Sequence, residues 1–243
     1  MILEDICLLA ADTSRSKAYL SSLVRHKLIP SLILLLPQNS FKNLPGNTEE
    51  INKEKFILND QDWSETLFDT NMNIENFLIS HNLNYEKMHN YNINEENNIQ
   101  KINSLSQKII IYSGYGGVLL RDGILSTRKK FLHIHGGYLP KYKGSTTNFY
   151  SIIEENIFGA TSIFLNEIID SGPIIMRKKF SIPKDLSKAD HILDAGARSK
   201  VLIETLKRYL EDGEFKENIY DEDSEIFYII HPLLKHLSIL RNK

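Results

Sequence analysis

The sequence predicts an α/β fold, a mostly parallel sheet flanked by helices with a short C-terminal extension, and three observations lead there. Residues 6–11 (ICLLAA) and 31–37 (SLILLLP) are apolar at nearly every position, as in strands covered on both faces. The stretch between them has helical period, so strand, helix and strand follow one another within 37 residues. Two further apolar runs, residues 108–113 and 131–135, are each followed by glycines. At 243 residues and 42% hydrophobic, the chain can bury one substantial core.

The elements follow in order. After the first run come DTSRS and KAYLSSLVRHKL, where Ala18, Leu20, Leu23, Val24 and Leu28 recur at helical spacing and Thr13 or Ser14 can cap the helix. The second run completes a right-handed βαβ start. Residues 38–62 show no sustained period and predict a surface loop. Residues 73–81 and 95–105 read as helices flanking a weak strand near Met88. Residues 108–113 form the third strand, GYGGVLL breaks the chain just past its carboxyl end, and FLHIH forms the fourth. In open α/β sheets that carboxyl edge is where ligands collect.

Further on, residues 148–156 read as a helix, 160–166 and 173–182 as strands, and 187–213 as a long amphipathic helix closed by Gly213. The acidic YDEDSE stretch leads to IFYIIHPLLKHLSIL, an apolar tail element whose His-Pro step looks like a helix entry. With no repeat and no clear linker, one site-bearing domain over 1–183 is expected, with a C-terminal helix and short extension over 184–243 packed on it.

Charge and cysteine usage narrow the classes. Twenty-nine basic and 31 acidic residues leave a formal charge of −2, so no global field draws the chain to nucleic acid or an anionic membrane. The lone Cys7, inside ICLLA, cannot form an internal disulfide and reads as a small buried hydrophobe in a reducing compartment. The first run is too short and too flanked by charge for a signal peptide or a membrane span, so a cytoplasmic location is expected.

The chemistry concentrates in FLHIHGGYLPKYKG, residues 131–144. On a strand, His133 and His135 point to the same side and can flank one small ligand. Asp170, in IIDSGP, follows another strand and reaches the same edge. A metal site needs a third ligand, which only Asp170 offers, so metal binding, catalysis and packing are all open at this point. The loop that follows supplies glycines for close approach, a proline that stiffens the turn and basic residues for an anion.

The run HIHGGYLPKYKGSTTNFYSIIEENIFGATSIFLNEIIDSGPII resembles the folate-dependent formyltransferases, whose signature is Asn-x-His, a loop with Leu-Pro and Arg/Lys-Gly, a helix, Gly-x-Thr and Asp-x-Gly. Leu139, Pro140, Gly144, Gly159, Thr161 and Gly172 are the matching landmarks. The resemblance implies a Rossmann-like formyltransferase fold and transfer of a formyl group from 10-formyltetrahydrofolate to an acceptor amine through a tetrahedral intermediate. It places His135 at the central catalytic histidine and Asp170 at the aspartate that orients it or takes the amine proton. His133 stands where the family has asparagine; an imidazole N–H can replace the amide N–H as donor to the formyl oxygen. By the same match the folate pteridine falls to Tyr115, Gly116 and Gly117, with Ile168 and Ile169. No metal is implied.

Three acceptors fit: an initiator aminoacyl-tRNA, glycinamide ribonucleotide, or a nucleotide-linked amino sugar. The near-neutral charge and the length after residue 182 disfavour tRNA, and ADTSRSKAYL lacks the glycine-rich ribose-phosphate loop of the purine enzyme. An amino sugar, of the kind used in bacterial surface polysaccharides, is expected, with Arg15 and Lys17 near a helix N-terminus and Lys143 (Lys141 beside it) facing its phosphates. A homodimer is compatible with this reading. The alternatives are a glycinamide ribonucleotide enzyme, a formyltetrahydrofolate hydrolase, a folate-binding protein without turnover, and a metal-dependent hydrolase using the HxH pair. His191, His231 and His236 read as structural or surface residues.

Overall fold

The computed structural model describes residues 1–38, 63, 66, 68–182 and 185–241. Its centre is a seven-stranded sheet in the order β3-β2-β1-β4-β5-β7-β8. Strands β1 (Ile2–Ala10), β2 (Ile29–Leu35), β3 (Tyr85–Lys87), β4 (Ile109–Ser113) and β5 (Lys130–His135) are parallel, and β7 (Phe158–Phe164) and β8 (Ile174–Phe180) close one edge antiparallel. The mostly parallel sheet read from the sequence is therefore present. β1 starts four residues before the apolar run because Glu4 and Asp5 interrupt the hydrophobic signal, while the backbone of Ile2 and Leu3 already pairs with β2.

The period-2 alternation of the strands divides the core in two. Leu8, Ile33, Ile111, Leu132 and Ile134 face the layer of α1 (Ser14–Arg25) and α6 (Asp194–Asp212). Cys7, Leu9, Leu34, Ile110 and Phe131 face the layer of α3 (Glu96–Asn103) and the one-turn α4 (Asp122–Leu125). Cys7 is fully buried, and burial pushes its thiol up to about 12, as expected of an inert packing residue. α2 (Ile74–Ser80) completes the helices before α3. The loop expected over residues 38–62 lies outside the described residues apart from Gln38. Trp63 is buried edge-on against Phe158.

Caps follow the sequence. Thr13 caps α1, its side chain accepting from the Ser16 N–H. Gly213 closes α6 in the left-handed region, and α7 (Pro232–Leu240) starts at Pro232 with His231 as its N-cap. α6 begins seven residues later than its periodicity predicts, because residues 189–193 form a π-helical turn. Two three-residue strands, β6 (Tyr142–Gly144) and β9 (Glu225–Phe227), were not legible: they are too short to show a period and form only when the extension returns to lie beside β6. That extension is tied down by Asn218 N–H to the Ile174 carbonyl (2.7 Å) and by α7 lying on α5 (Thr147–Glu155).

Candidate active site

The strand order reverses at β1 and β4, so their carboxyl ends diverge there and leave a crevice at the sheet edge. Arg15, in the first turn of α1, spans it: Nε donates to Ser113 Oγ (3.2 Å) and Nη2 to the Gly114 carbonyl. A cleft of about 730 Å³ opens over this edge, and His133, His135 and Asp170 all line it.

His135, at the end of β5, is 4% exposed. Its Nε2 lies 2.8 Å from the Tyr142 carbonyl, and since a carbonyl only accepts, Nε2 carries a proton. Its Nδ1 lies 3.4 Å from Asp170 Oδ2. Burial pulls the imidazole below its ordinary value, and the Asp170 carboxylate pulls it back up without fully offsetting burial. His135 is thus a neutral ring whose free Nδ1 lone pair, next to a carboxylate, forms a place for one additional proton.

Asp170 sits at φ +49 on the β7–β8 turn, a left-handed conformation that Asp tolerates better than most residues. Its Oδ2 also accepts from the Gly144 N–H (2.8 Å), while Oδ1 has no hydrogen bond among the described residues. The turn is tightened by Gly172, where a Cβ would fall 1.7 Å from the Phe164 carbonyl oxygen, so no other residue fits.

His133 points into the same cleft. Its pKa is held well below the usual histidine value by burial, then by the charges of Arg15 and Arg198, so the ring is neutral. Nδ1 lies 3.5 Å from the Tyr112 carbonyl, the outer limit of a hydrogen bond. In this orientation a neutral ring donates weakly to Tyr112 and presents an acceptor, Nε2, rather than the N–H of an asparagine. The ligating atoms of His133, His135 and Asp170 lie within 4.8 Å of one another, a separation compatible with a metal ion. Arg15 and Arg198 in the same wall make the field there unfavourable for a cation.

The remaining expected residues divide. Tyr115, Gly116 and Gly117 line the cleft, and a Cβ at either glycine would meet nothing within 4 Å, so a flat ring can rest on this backbone; Gly117 also has φ +79. Ile168 and Ile169 are exposed apolar residues on the rim, 65% and 43% accessible. Arg15 lines the cleft, but Lys17 and Lys143 do not. Lys17 pairs with Asp12 (3.3 Å) and the Thr70 carbonyl (3.0 Å), because the α1 helix turns it away from the sheet edge. Lys143 donates to Ser171 Oγ (2.9 Å), bracing the Asp170 turn instead of facing the cleft. Lys141 pairs with Glu155 on the surface.

Sequence reading missed Arg198 and Asp194. Arg198 donates to Asp194 (2.7 Å) and to the Ile134 carbonyl (2.6 Å) between the two histidines. Burial opposes its charge most strongly, yet Asp194, Tyr19 and Asp170 together outweigh burial and its pKa is raised. Their i,i+4 spacing inside an amphipathic helix was the available signal. Gly136 is the complement, since a Cβ there would meet both side chains. Asn148 is also in the wall, with Oδ1 accepting from the Gly159 N–H (2.8 Å) and Nδ2 buried without a partner among the described residues.

A His–Asp pair, a glycine ledge and an arginine-lined wall come together at the switch point of an α/β sheet. The chain belongs to the formyl transferase family, whose model matches residues 46–200. That family is folate-dependent and takes its formyl group from 10-formyltetrahydrofolate, which the glycine ledge and apolar rim fit. Among curated relatives, the methionyl-tRNA formyltransferase of Caldanaerobacter subterraneus subsp. tengcongensis is 26% identical over 143 residues, 57% of this chain and 46% of the relative. The chain thus spans less than half the length of the curated relatives it matches. Among solved structures, a sugar N-formyltransferase from Shewanella sp. FDAARGOS_354 superposes with TM-score 0.58 at 17% identity, over 98% of this chain and 87% of the other. An N-formyltransferase from Helicobacter canadensis, in complex with folinic acid and dTDP-3-aminofucose, superposes with TM-score 0.54 at 13% identity, over 92% and 71%. Among the described residues no helix is long and apolar enough to cross a membrane.

Proposed function

We propose that this cleft transfers a formyl group from 10-formyltetrahydrofolate to the amine of a small acceptor, an amino sugar carried on a nucleotide. The observation that supports it best is the single Asp170 oxygen shared by His135 Nδ1 and the Gly144 N–H, which leaves the second oxygen of this cleft-lining residue without a hydrogen bond among the described residues. The donor supplies the activated formyl carbon. Asp170 Oδ1 faces the attacking amine, and the Asp170–His135 pair takes its proton. Negative charge growing on the formyl oxygen meets the field of Arg15 and Arg198, two partly buried cations in the same wall. His133 adds an N–H to that oxygen once its ring turns off the weak Tyr112 contact. Tyr115, Gly116, Gly117, Ile168 and Ile169 carry the pteridine, and Arg15 also serves the acceptor's phosphates.

A small acceptor is supported by the cleft's size, about 730 Å³ for donor and acceptor together, and by residues 226–229, which help to line it. The Helicobacter neighbour, whose complex holds dTDP-3-aminofucose, points the same way. Location in the cytoplasm and a homodimer belong to this proposal.

The test is incubation with 10-formyltetrahydrofolate and a panel of nucleotide-linked amino sugars, with initiator methionyl-tRNA and glycinamide ribonucleotide as separate arms, scored by mass for formyl addition. Formylation of a sugar arm is expected. Formylation of only the tRNA or ribonucleotide arm, or formate release without an acceptor, would overturn the acceptor assignment. For His133, loss of transfer in His133→Ala and its retention in His133→Asn are expected; unaffected transfer in both would remove it from the mechanism.

A further inference from the structure

We infer that the C-terminal strand β9 is a positioning element of the active site, because it holds in register the short strand β6 that fixes both His135 and Asp170. Every residue of β6 touches the pair or its turn. The Tyr142 carbonyl accepts from His135 Nε2 (2.8 Å) and so fixes its tautomer. The Gly144 N–H donates to Asp170 Oδ2 (2.8 Å). Lys143 between them donates to Ser171 Oγ (2.9 Å), which in turn donates to the Ile169 carbonyl (3.0 Å), anchoring the Asp170 turn.

β6 lies outside the seven-stranded sheet, and β9 is its strand partner among the described residues, pairing Tyr142, Lys143 and Gly144 with Glu225, Ile226 and Phe227. The Glu225 N–H donates to the Lys141 carbonyl and the Ser145 N–H to the Phe227 carbonyl, both at 2.9 Å. The Phe227 ring stacks on Tyr142 (5.5 Å between centroids) and lies 4.6 Å from Tyr150 of α5. Gly144, at φ +99, allows the approach, since a Cβ there would stand 2.1 Å from the Phe227 carbonyl oxygen. Ile230 N–H to Thr146 Oγ1 (2.9 Å) closes the clamp on the other side. A strand about 90 residues downstream of His135 in sequence thus sets the two groups that receive the amine proton. The catalytic consequence rests on the formyl-transfer reading; the geometric one does not.

The experiment compares wild type, Phe227→Ala, Phe227→Tyr and Glu225→Pro. Phe227→Ala removes the ring stack. Glu225→Pro removes one interstrand donor at an exposed residue, so it leaves the core intact should Phe227→Ala fail to fold. The first readout is the 15N NMR signature of the His135 ring, assigned against His135→Gln. Wild type and Phe227→Tyr are expected to show the Nε2–H tautomer, and the two disrupting variants a mixture of tautomers. The second readout is formyl transfer, where kcat is expected to fall roughly 10- to 100-fold with the KM for the folate unchanged, and to recover in Phe227→Tyr. A wild-type His135 spectrum and wild-type kcat in folded Phe227→Ala and Glu225→Pro would overturn the inference. If no chain transfers formyl, the proposed function fails, and the ring spectrum still decides the positioning role.

Discussion

Replacing Asp170 by asparagine removes one charge and almost no volume. The backbone at φ +49 suits asparagine as well as aspartate, so the turn itself is not strained by the change. The Gly144 N–H, 2.8 Å from Oδ2, requires an acceptor there, which forces the amide oxygen into that position and turns the amide NH₂ toward the cleft. An attacking amine then meets a donor where it needs a base. The His135 ring, which burial lowers and the Asp170 carboxylate, ahead of the Tyr142 hydrogen bond and Asp194, draws upward, loses that support and titrates lower still. Loss of a positioned proton acceptor costs roughly 10²–10⁴ in kcat, or about 3–5 kcal/mol in the barrier. The fold loses little, since a charge-assisted bond becomes a neutral one at a cost of about 1 kcal/mol. The assay is formyl transfer to the acceptor that the panel identifies, read by mass, beside thermal unfolding of the same sample. A folded Asp170→Asn enzyme with wild-type kcat would refute the assignment of the amine proton to this carboxylate.

Two other outcomes are expected. Gly172→Ala places a Cβ 1.7 Å from the Phe164 carbonyl oxygen, so the Asp170 turn must move; destabilisation of about 1–3 kcal/mol, or a Tm lower by roughly 2–12 °C, should accompany loss of transfer, and an unchanged Tm in differential scanning calorimetry would contradict it. His133 and His135 are both held below the ordinary histidine value, so between that value and their folded pKa the unfolded chain binds more protons than the folded one. Stability is therefore full above about pH 6.5 and is lost as pH falls below it. His133→Asn should flatten part of that slope in urea unfolding between about pH 7 and 5.5; an unaltered slope would show that His133 is not a source of it.

Much of this molecule is written locally. The runs at residues 6–11, 31–37 and 109–112 had to be buried strands because their apolar residues leave no polar face, the run at 131–135 shows its strand period in the two same-side histidines, and Thr13, Gly213 and Pro232 mark helix ends through chemistry confined to one turn. That His133, His135, Asp170 and Tyr115–Gly117 share one cleft was legible because the motif sets their spacing along the chain. Lys17 and Lys143 were not separable from cleft lysines, since a flexible cationic stem reads the same whether it faces a ligand or a neighbouring turn.

The sequence by itself determined a parallel α/β sheet, its switch-point edge and the identity of the groups gathered there. Only the tertiary structure decided that Arg198, carried by a helix more than 60 residues beyond His133, reaches the carbonyl between the two histidines, and that β9 completes β6 beside the His135–Asp170 pair. Those contacts join segments far apart in sequence through single backbone groups. Such groups leave no hydrophobic period or composition for a sequence to display, so they come into being only when the folded chain brings the segments together.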